Sequence, residues 1–438
     1  MTQLETLLKR LVDFESGLIT CIFEVPTQFC EPSVQIYLAE FSDPVALDDA
    51  QGRPRLPYIA RQASGAGLTR TEALWSTIGE AIERYNSAVY SHIPRVTAIA
   101  DNVPGGRTFL ERMIHFAETS YTRGDVDFAK PDPDVTRDWV EARHLLTGAP
   151  SYVPASLALL RFDAPRESDI LDRTYSTGLA CHTTLGAAAL SGLCELIERD
   201  AYSCYWLTGV PPVRLARDFV LRRLPQAFAT EIDRLALDFK LLALRTDMHT
   251  PVLVCVIPVP GGGIATGASC HLNPIQALRK AVVEAFHTFN WCLEMKRLHQ
   301  AMQDPTMIND FRDHVAWYLD PQRSAQYRWL TQDMVEIAAF PDDWVPLDPD
   351  DIPAETQVKI LAQRIVDGGF DPLLADLTSP DVRMLGFHVI RAFAAGLQPL
   401  SAGYTTIHTD PRRLEAFLAW RGTPQPVMVK LDPPHCFP

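Results

Sequence analysis

Two helical segments of this chain carry the same device, a pair of glutamates three residues apart closed by an arginine. The first reads Ser76-Thr77-Ile78-Gly79-Glu80-Ala81-Ile82-Glu83-Arg84, and the second reads Gly192-Leu193-Cys194-Glu195-Leu196-Ile197-Glu198-Arg199-Asp200. Residues at i and i+3 share a helix face, so each pair aims two carboxylates at one spot. Two such pairs facing each other would be mutually repulsive unless divalent cations neutralise them. The duplication therefore predicts a fold that brings the two helices together around a magnesium–nucleotide site. No glycine-rich phosphate loop accompanies it, since the Gly261-Gly262-Gly263 run lacks the Gly-Lys-Ser/Thr of a P-loop and reads as a hairpin turn.

At 438 residues the chain is long enough for two or three domains or one large one. A formal net charge of −14 argues against nucleic acid as principal partner, because that affinity comes mostly from neutralising phosphates. The nine cysteines are dispersed with no Cys-x-x-Cys pair, which disfavours a zinc site or a disulfide framework. An odd cysteine count without a signal-peptide pattern fits a reducing cytoplasm. No apolar run approaches the roughly 20 residues needed to span a bilayer.

Along the chain, alternation over 18–41 predicts early strands broken at Pro26 and Pro32. Thr69 with Glu72 three residues on is a capping-box pattern that starts a helix running to about Tyr90. On that helix Ser76, Glu80 and Glu83 fall on one side, opposite Leu74, Ile78, Ala81 and Tyr85, so the carboxylates are expected away from the packed face. A second helix is expected over Leu185 to Leu207 and a third over Pro274 to Leu293, the latter with Lys280, Glu284 and His287 on one side. Strands are expected at Leu241–Arg245, Val252–Val259 and Val389–Phe393. Residues 102–150 read as helix plus loop, 295–350 as a mostly helical insertion, and 355–395 as strand, helix, strand. The class is α+β, with mixed sheets packed by long helices in a single large domain. Its segments are 1–60, a core over 61–423, and a proline-rich tail over 424–438.

A single Glu-x-x-Glu is ordinarily a solvated helix face, and Glu284 alone an ordinary surface residue; the weight lies in the duplication. The search for a nucleophile finds no Gly-x-Ser-x-Gly elbow and no cysteine–histidine assignment. His182, His271 and His287 default to structural roles. The tail ends on an apolar aromatic and a proline, which suits docking into a groove.

Taken together, the segments resemble the YcaO family of ATP-dependent enzymes that modify peptide backbones. The matching residues are Gly67-Leu68-Thr69-Arg70 leading into Ser76, Glu80, Glu83 and Arg84, then Ser176-Thr177-Gly178-Leu179-Ala180 leading into Glu195, Glu198, Arg199 and Asp200. Ala277 to Ala285 around Glu284, Val389-Ile390-Arg391, Gly396-Leu397-Gln398-Pro399-Leu400 and the terminal prolines complete the pattern. The Gly-Leu-Gln-Pro-Leu segment and the tail resemble the azoline-forming cyclodehydratases.

The resemblance implies that Glu80, Glu83, Glu195 and Glu198 hold Mg²⁺ and the ATP phosphates. It implies that Ser76, Arg199 and Glu284 line the nucleotide pocket, and that the tail, with His435, Phe437 and Pro438, reaches the active site. It implies cyclodehydration of Cys, Ser or Thr in a ribosomal precursor peptide. The side chain adds to the preceding carbonyl, and phosphorylation by ATP makes that oxygen a leaving group, so no protein nucleophile is required. The implied partners are a separate leader-binding protein resembling ubiquitin-activating enzymes, an FMN-dependent azoline dehydrogenase and a second copy of the chain. Thioamide or macroamidine formation, a non-catalytic scaffolding subunit and a carboxylate metallohydrolase stay open as alternatives. Departures from the family pattern are Ala66, Thr177, the absence of a glutamate near Thr184 or Ala187, Phe289 where an arginine is usual (with Arg279 as the substitute), and Cys436 for a tail proline.

Overall fold

The computed structural model describes residues 3–28, 30–45, 58–327, 330, 334–348, 352–404, 406–423 and 434–437. Helix α1 (Gln3–Leu11) precedes an antiparallel sheet of β1 (Ile19–Val25), β2 (Gln35–Phe41) and β3 (Gln62–Gly67), in that order. Next comes α2 (Arg70–Ser87), the first carboxylate helix. Its capping box is formed: Glu72 N–H donates to the Thr69 hydroxyl at 3.2 Å, and Thr69 N–H donates to the Glu72 carboxylate at 3.0 Å.

A second sheet is built from β4 (Arg95–Ala98), β5 (Arg137–His144), β6 (Pro150–Pro154), β7 (Leu179–His182), β13 (Pro372–Asp376) and β14 (His388–Ala394), joined in the order β4-β5-β13-β14-β7 with β6 beside β5. The second carboxylate helix, α3 (Leu185–Thr208), follows β7; Thr184 caps it by accepting Ala187 N–H, and Gly209 ends it in the left-handed region at φ 67°. The third sheet, in the order β11-β10-β9-β8-β12, comprises β8 (Val213–Leu215), β9 (Lys240–Leu244), β10 (Val252–Pro258), β11 (Ile264–Cys270) and β12 (Glu336–Ile337). Helices α4 (Pro274–Arg297), α5 (Phe311–Tyr318), α6 (Ala354–Asp367) and α7 (Pro411–Trp420) complete the main elements.

Helix α2 lies between the first sheet and β7 and β14 of the second, while α3 lies between β7 and β14 of the second sheet and β11 of the third. Both carboxylate helices thus flank the same pair of strands. Helix α4 packs on β10 and β11 and also touches β3. Leu278, Ala281, Val282, Ala285, Phe286 and Phe289 of α4 are all buried, and each large apolar side chain so buried contributes about 1.5–3 kcal/mol.

Several expectations need correction. The stretch 295–350 is not mostly helical: it holds the end of α4, α5, single turns at Pro305–Met307 and Pro321–Ala325, and β12, which pairs in parallel with β8. Prolines at 305, 321, 341 and 346 remove the amide donors a longer helix needs. Residues 102–150 contain β5, a strand at the centre of a sheet, and 355–395 begins with α6 rather than a strand. The carboxylate side of α2 is not wholly away from packing, because Glu83 is 9% exposed. A helix covered by sheets on two sides has no single buried stripe, so a one-face projection misplaced it.

Candidate functional site

The two Glu-x-x-Glu segments meet beside β7 and β14. On α2, Glu80 bonds Arg84 at 2.7 Å, both side chains about a third exposed, and Ser76 lies exposed one turn earlier. Burial, and then the negative charge of Glu80, push the Glu83 carboxyl well above its ordinary range; Glu195 from α3 adds to this, and Arg84 and Arg391 oppose it. Carboxylates from separate helices therefore feel each other directly.

On α3, Glu195 accepts the Arg199 guanidinium at 3.1 Å and the Gly178 N–H at 3.2 Å. Gly178 is at φ +80°, and a Cβ there would stand 2.3 Å from the Ala392 carbonyl oxygen, so this approach demands glycine. Glu198 is buried, accepts Cys270 N–H at 2.9 Å and sits 3.3 Å from Arg199. Burial pushes its carboxyl up, while Arg199, Lys280 and the Cys270 hydrogen bond counter that and Glu195 adds to it.

Helix α4 supplies Glu284 and Lys280. Burial would raise Glu284, but His287, 3.7 Å away, together with Lys280 and Arg199, holds it below its ordinary value. Lys280 is solvent-exposed, and although desolvation opposes its charge, Glu284, Glu198 and Glu195 keep the ammonium above its usual range. Lys280 is therefore accessible and within electrostatic reach of three carboxylates. The close seat of α4 on β11 depends on Gly267, where a Cβ would fall 2.1 Å from Ala285 N.

Sequence reasoning gave Arg391 no role. It is buried on β14, donates to the Tyr175 and Ala158 carbonyls, and faces Glu195 and Glu83; burial pulls it down to about 10 while those carboxylates hold it up. The signal was an arginine in the middle of an apolar strand, since a buried guanidinium must find partners. Arg279, the substitute for the missing family arginine, points elsewhere and donates to the Arg223 carbonyl at 3.0 Å; Phe289 is core.

The described end of the tail, 434–437, is buried against α3 and α5. Tyr318 donates to the Pro434 carbonyl, Thr266 donates to the Cys436 carbonyl at 2.8 Å, and the Phe437 ring lies 4.2 Å from the Arg199 guanidinium and 4.7 Å from the Tyr202 ring. His435 packs against the Tyr202, Trp206 and His314 rings. Pro438 lies outside the described residues.

Among the described residues, no group of three or more His, Cys, Asp or Glu side chains is placed to hold a metal ion by itself. Glu80 and Glu195 are instead held by Arg84 and Arg199. That donor set fits Mg²⁺, which keeps waters and phosphate oxygens and takes only a few protein carboxylates. The mutual repulsion among Glu80, Glu83 and Glu195 is what such a cation would relieve. Among the described residues no helix is long and apolar enough to cross a membrane.

The chain resembles several known proteins in sequence or in fold. An uncharacterized protein in the tfuA 3′ region of Rhizobium leguminosarum bv. trifolii is 28% identical over 239 residues, 50% of this chain and 53% of that protein. An uncharacterized protein of Methanothermobacter thermautotrophicus is 24% identical over 364 residues, 80% of this chain and 83% of that protein. A heterocyclase in complex with substrate and cofactor superposes with a TM-score of 0.78 at 20% identity, covering 100% of this chain and 58% of the other. YcaO from Methanopyrus kandleri bound with AMPPCP and Mg²⁺ gives 0.58 at 19% identity over 87% and 86%. The E. coli microcin synthetase McbBCD complex gives 0.57 at 16% over 88% and 89%. The chain thus spans a little over half the length of the Rhizobium protein and of the heterocyclase. The model of the YcaO cyclodehydratase family, described as ATP- and Mg²⁺-binding, matches residues 64–398, and the chain belongs to that family.

Proposed function

We propose that this protein is an ATP- and Mg²⁺-dependent cyclodehydratase that converts Cys, Ser or Thr residues of a ribosomal precursor peptide to thiazolines or oxazolines. The observation that carries this reading is that Glu83 on α2 and Glu195 on α3 act on each other across the two helices, amid Arg84, Arg199, Arg391 and Lys280. Bound Mg-ATP would supply the phosphoryl group that makes the amide oxygen a leaving group. The four glutamates bind the metal; Arg199 and Lys280 balance anionic charge; Arg391, buried on β14, lends positive charge to Glu195 and Glu83. Phe437 covers one face of the Arg199 guanidinium.

The likeness to a heterocyclase with substrate and cofactor supports a peptide substrate, and the likeness to a McbBCD complex supports an assembly of several proteins. A leader-binding partner resembling ubiquitin-activating enzymes, an FMN-dependent azoline dehydrogenase, a homodimer within that assembly and a cytoplasmic setting belong to the same proposal. The test is to incubate the chain and its partner with a precursor peptide, ATP and Mg²⁺. Loss of one water per ring, with phosphate released in step, is expected. Water loss that needs no ATP, or a sulfur-for-oxygen mass gain when sulfide is supplied, overturns the reading.

A further inference from the structure

Beside the tail, and one to two turns along α3 from Arg199, lies a small cleft of about 20 Å³, room for about one water molecule, lined by Ser203, Trp206, Ser401, Ile407, Pro434 and His435. Two of its polar groups are more than nine-tenths buried and lack a hydrogen bond, the Ser203 hydroxyl and His435 Nε2. Phe437 N–H donates to His435 Nδ1 at 3.2 Å, which assigns the proton to Nε2. That N–H lies near the Ser401 carbonyl without closing a hydrogen bond to it. A buried donor left open in this way calls for a polar ligand.

Behind the cleft stands a chain of three groups. The Ser401 hydroxyl lies 2.8 Å from His408 Nδ1, and His408 Nε2 lies 2.7 Å from the Asp172 carboxylate. The carboxylate fixes the Nε2–H tautomer, so Nδ1 is the acceptor and the Ser401 O–H its donor. Ser401 Oγ also accepts His408 N–H at 3.1 Å, and Ser401 is among the residues that line the cleft.

We propose that Ser401, backed by His408 and Asp172, takes the proton from the attacking Cys, Ser or Thr side chain of the peptide. This rests on the cyclodehydratase reading. The substrate O–H or S–H bond breaks as its heteroatom bonds the preceding carbonyl carbon. The released proton passes to Ser401 Oγ while the Ser401 proton passes to His408 Nδ1, giving an imidazolium next to Asp172. Around His408 the charged and titratable groups are Asp172, with Tyr121, Tyr175 and Arg173 beside that carboxylate, and Asp410, which pairs with Arg412 and faces His115. The His408 ring is stacked on Phe116 at 4.5 Å, which holds its orientation.

The experiment compares Ser401→Ala and His408→Asn with the unaltered chain, in complex with its partner, on one precursor peptide carrying either Cys or Ser at the modified position. ATP KM and melting temperature are read alongside kcat. Expected is a loss of kcat of about 100-fold for both variants at neutral pH, with ATP KM unchanged. With the Cys peptide, raising the pH past about 8.5 should restore most of the rate, because the thiol then ionises unaided; the Ser peptide should stay slow. Equal loss on both peptides at every pH, or unchanged kcat, overturns the proposal. If His408→Asn fails to fold, Asp172→Asn must show the same Cys-selective recovery for the proposal to stand. A failure of the cyclodehydratase reading is separate, since the unaltered chain would then yield no dehydrated peptide.

Discussion

The Arg199 guanidinium lies 4.2 Å from the centre of the Phe437 ring while bonding Glu195 on its own helix at 3.1 Å. One arginine therefore joins the acidic pair to the last aromatic residue of the chain. Its charge is shared between two carboxylates and a ring face, and the tail fixes its orientation.

Replacing Phe437 with Ala should remove that cover. A cation–π contact is worth about 0.5–2 kcal/mol, so kcat should fall roughly 2- to 30-fold while ATP KM moves less. Steady-state kinetics with varied ATP checks this. A change confined to ATP KM would assign the tail to nucleotide binding alone.

Glu83→Gln and Glu198→Gln keep the shape of buried side chains and remove their charge. Because burial already disfavours both carboxylates, the melting temperature should hold or rise. Phosphate release should nonetheless drop by about 100-fold or more, as expected when a metal ligand is lost. Full activity in either variant would take that residue out of the metal site.

Arg413 on α7 is buried and forms two-pronged contacts with Asp200 of α3 at 2.8 and 2.6 Å and with Asp247 at 2.6 and 2.8 Å. Arg413→Ala leaves a fully buried Asp200 without its cation, which costs about 3–5 kcal/mol. Urea unfolding should show that loss. A change below about 1 kcal/mol would mean that Asp200 is held well enough by its other partners, such as the Gln398 N–H at 2.8 Å.

The doubled Glu-x-x-Glu-Arg was legible because its meaning is local: helix spacing alone puts Glu80 near Glu83 and Glu195 near Glu198. The Thr69–Glu72 cap and the strands at 19–25 and 252–258 were legible for the same reason, since period and capping act within a few residues. What the sequence withheld depends on distant packing. Glu83 is buried because strands from another sheet cover a side of α2 that looks solvated in projection. The strand 137–144 reads as polar because Arg137, Asp138, Glu141 and Arg143 make up half of it, and only pairing on both edges makes it a sheet centre. Ser401, His408 and Asp172 are brought together across 229 positions counted from Asp172 to Ser401 by folding alone, and no spacing rule could have joined them.

Two glycines give opposite predictions from one geometry. A Cβ on Gly267 of β11 would lie 2.1 Å from Ala285 N and 2.5 Å from Glu284 C, both backbone atoms of α4 that no side-chain rotation can move. Gly267→Ala must therefore push α4 off the sheet, costing about 1–3 kcal/mol or more and shifting Glu284 away from Arg199. A Cβ on Gly79, inside α2, would find its nearest neighbour, the Cys181 carbonyl oxygen, at 3.9 Å, an ordinary contact. Gly79→Ala should then gain the helix preference of alanine, up to about 1 kcal/mol. Urea midpoints should move in opposite directions for the two variants. If Gly267→Ala is neutral, the close seat of α4 on β11 is wrong, and with it the placement of Glu284 and Lys280 beside Arg199 and Glu198.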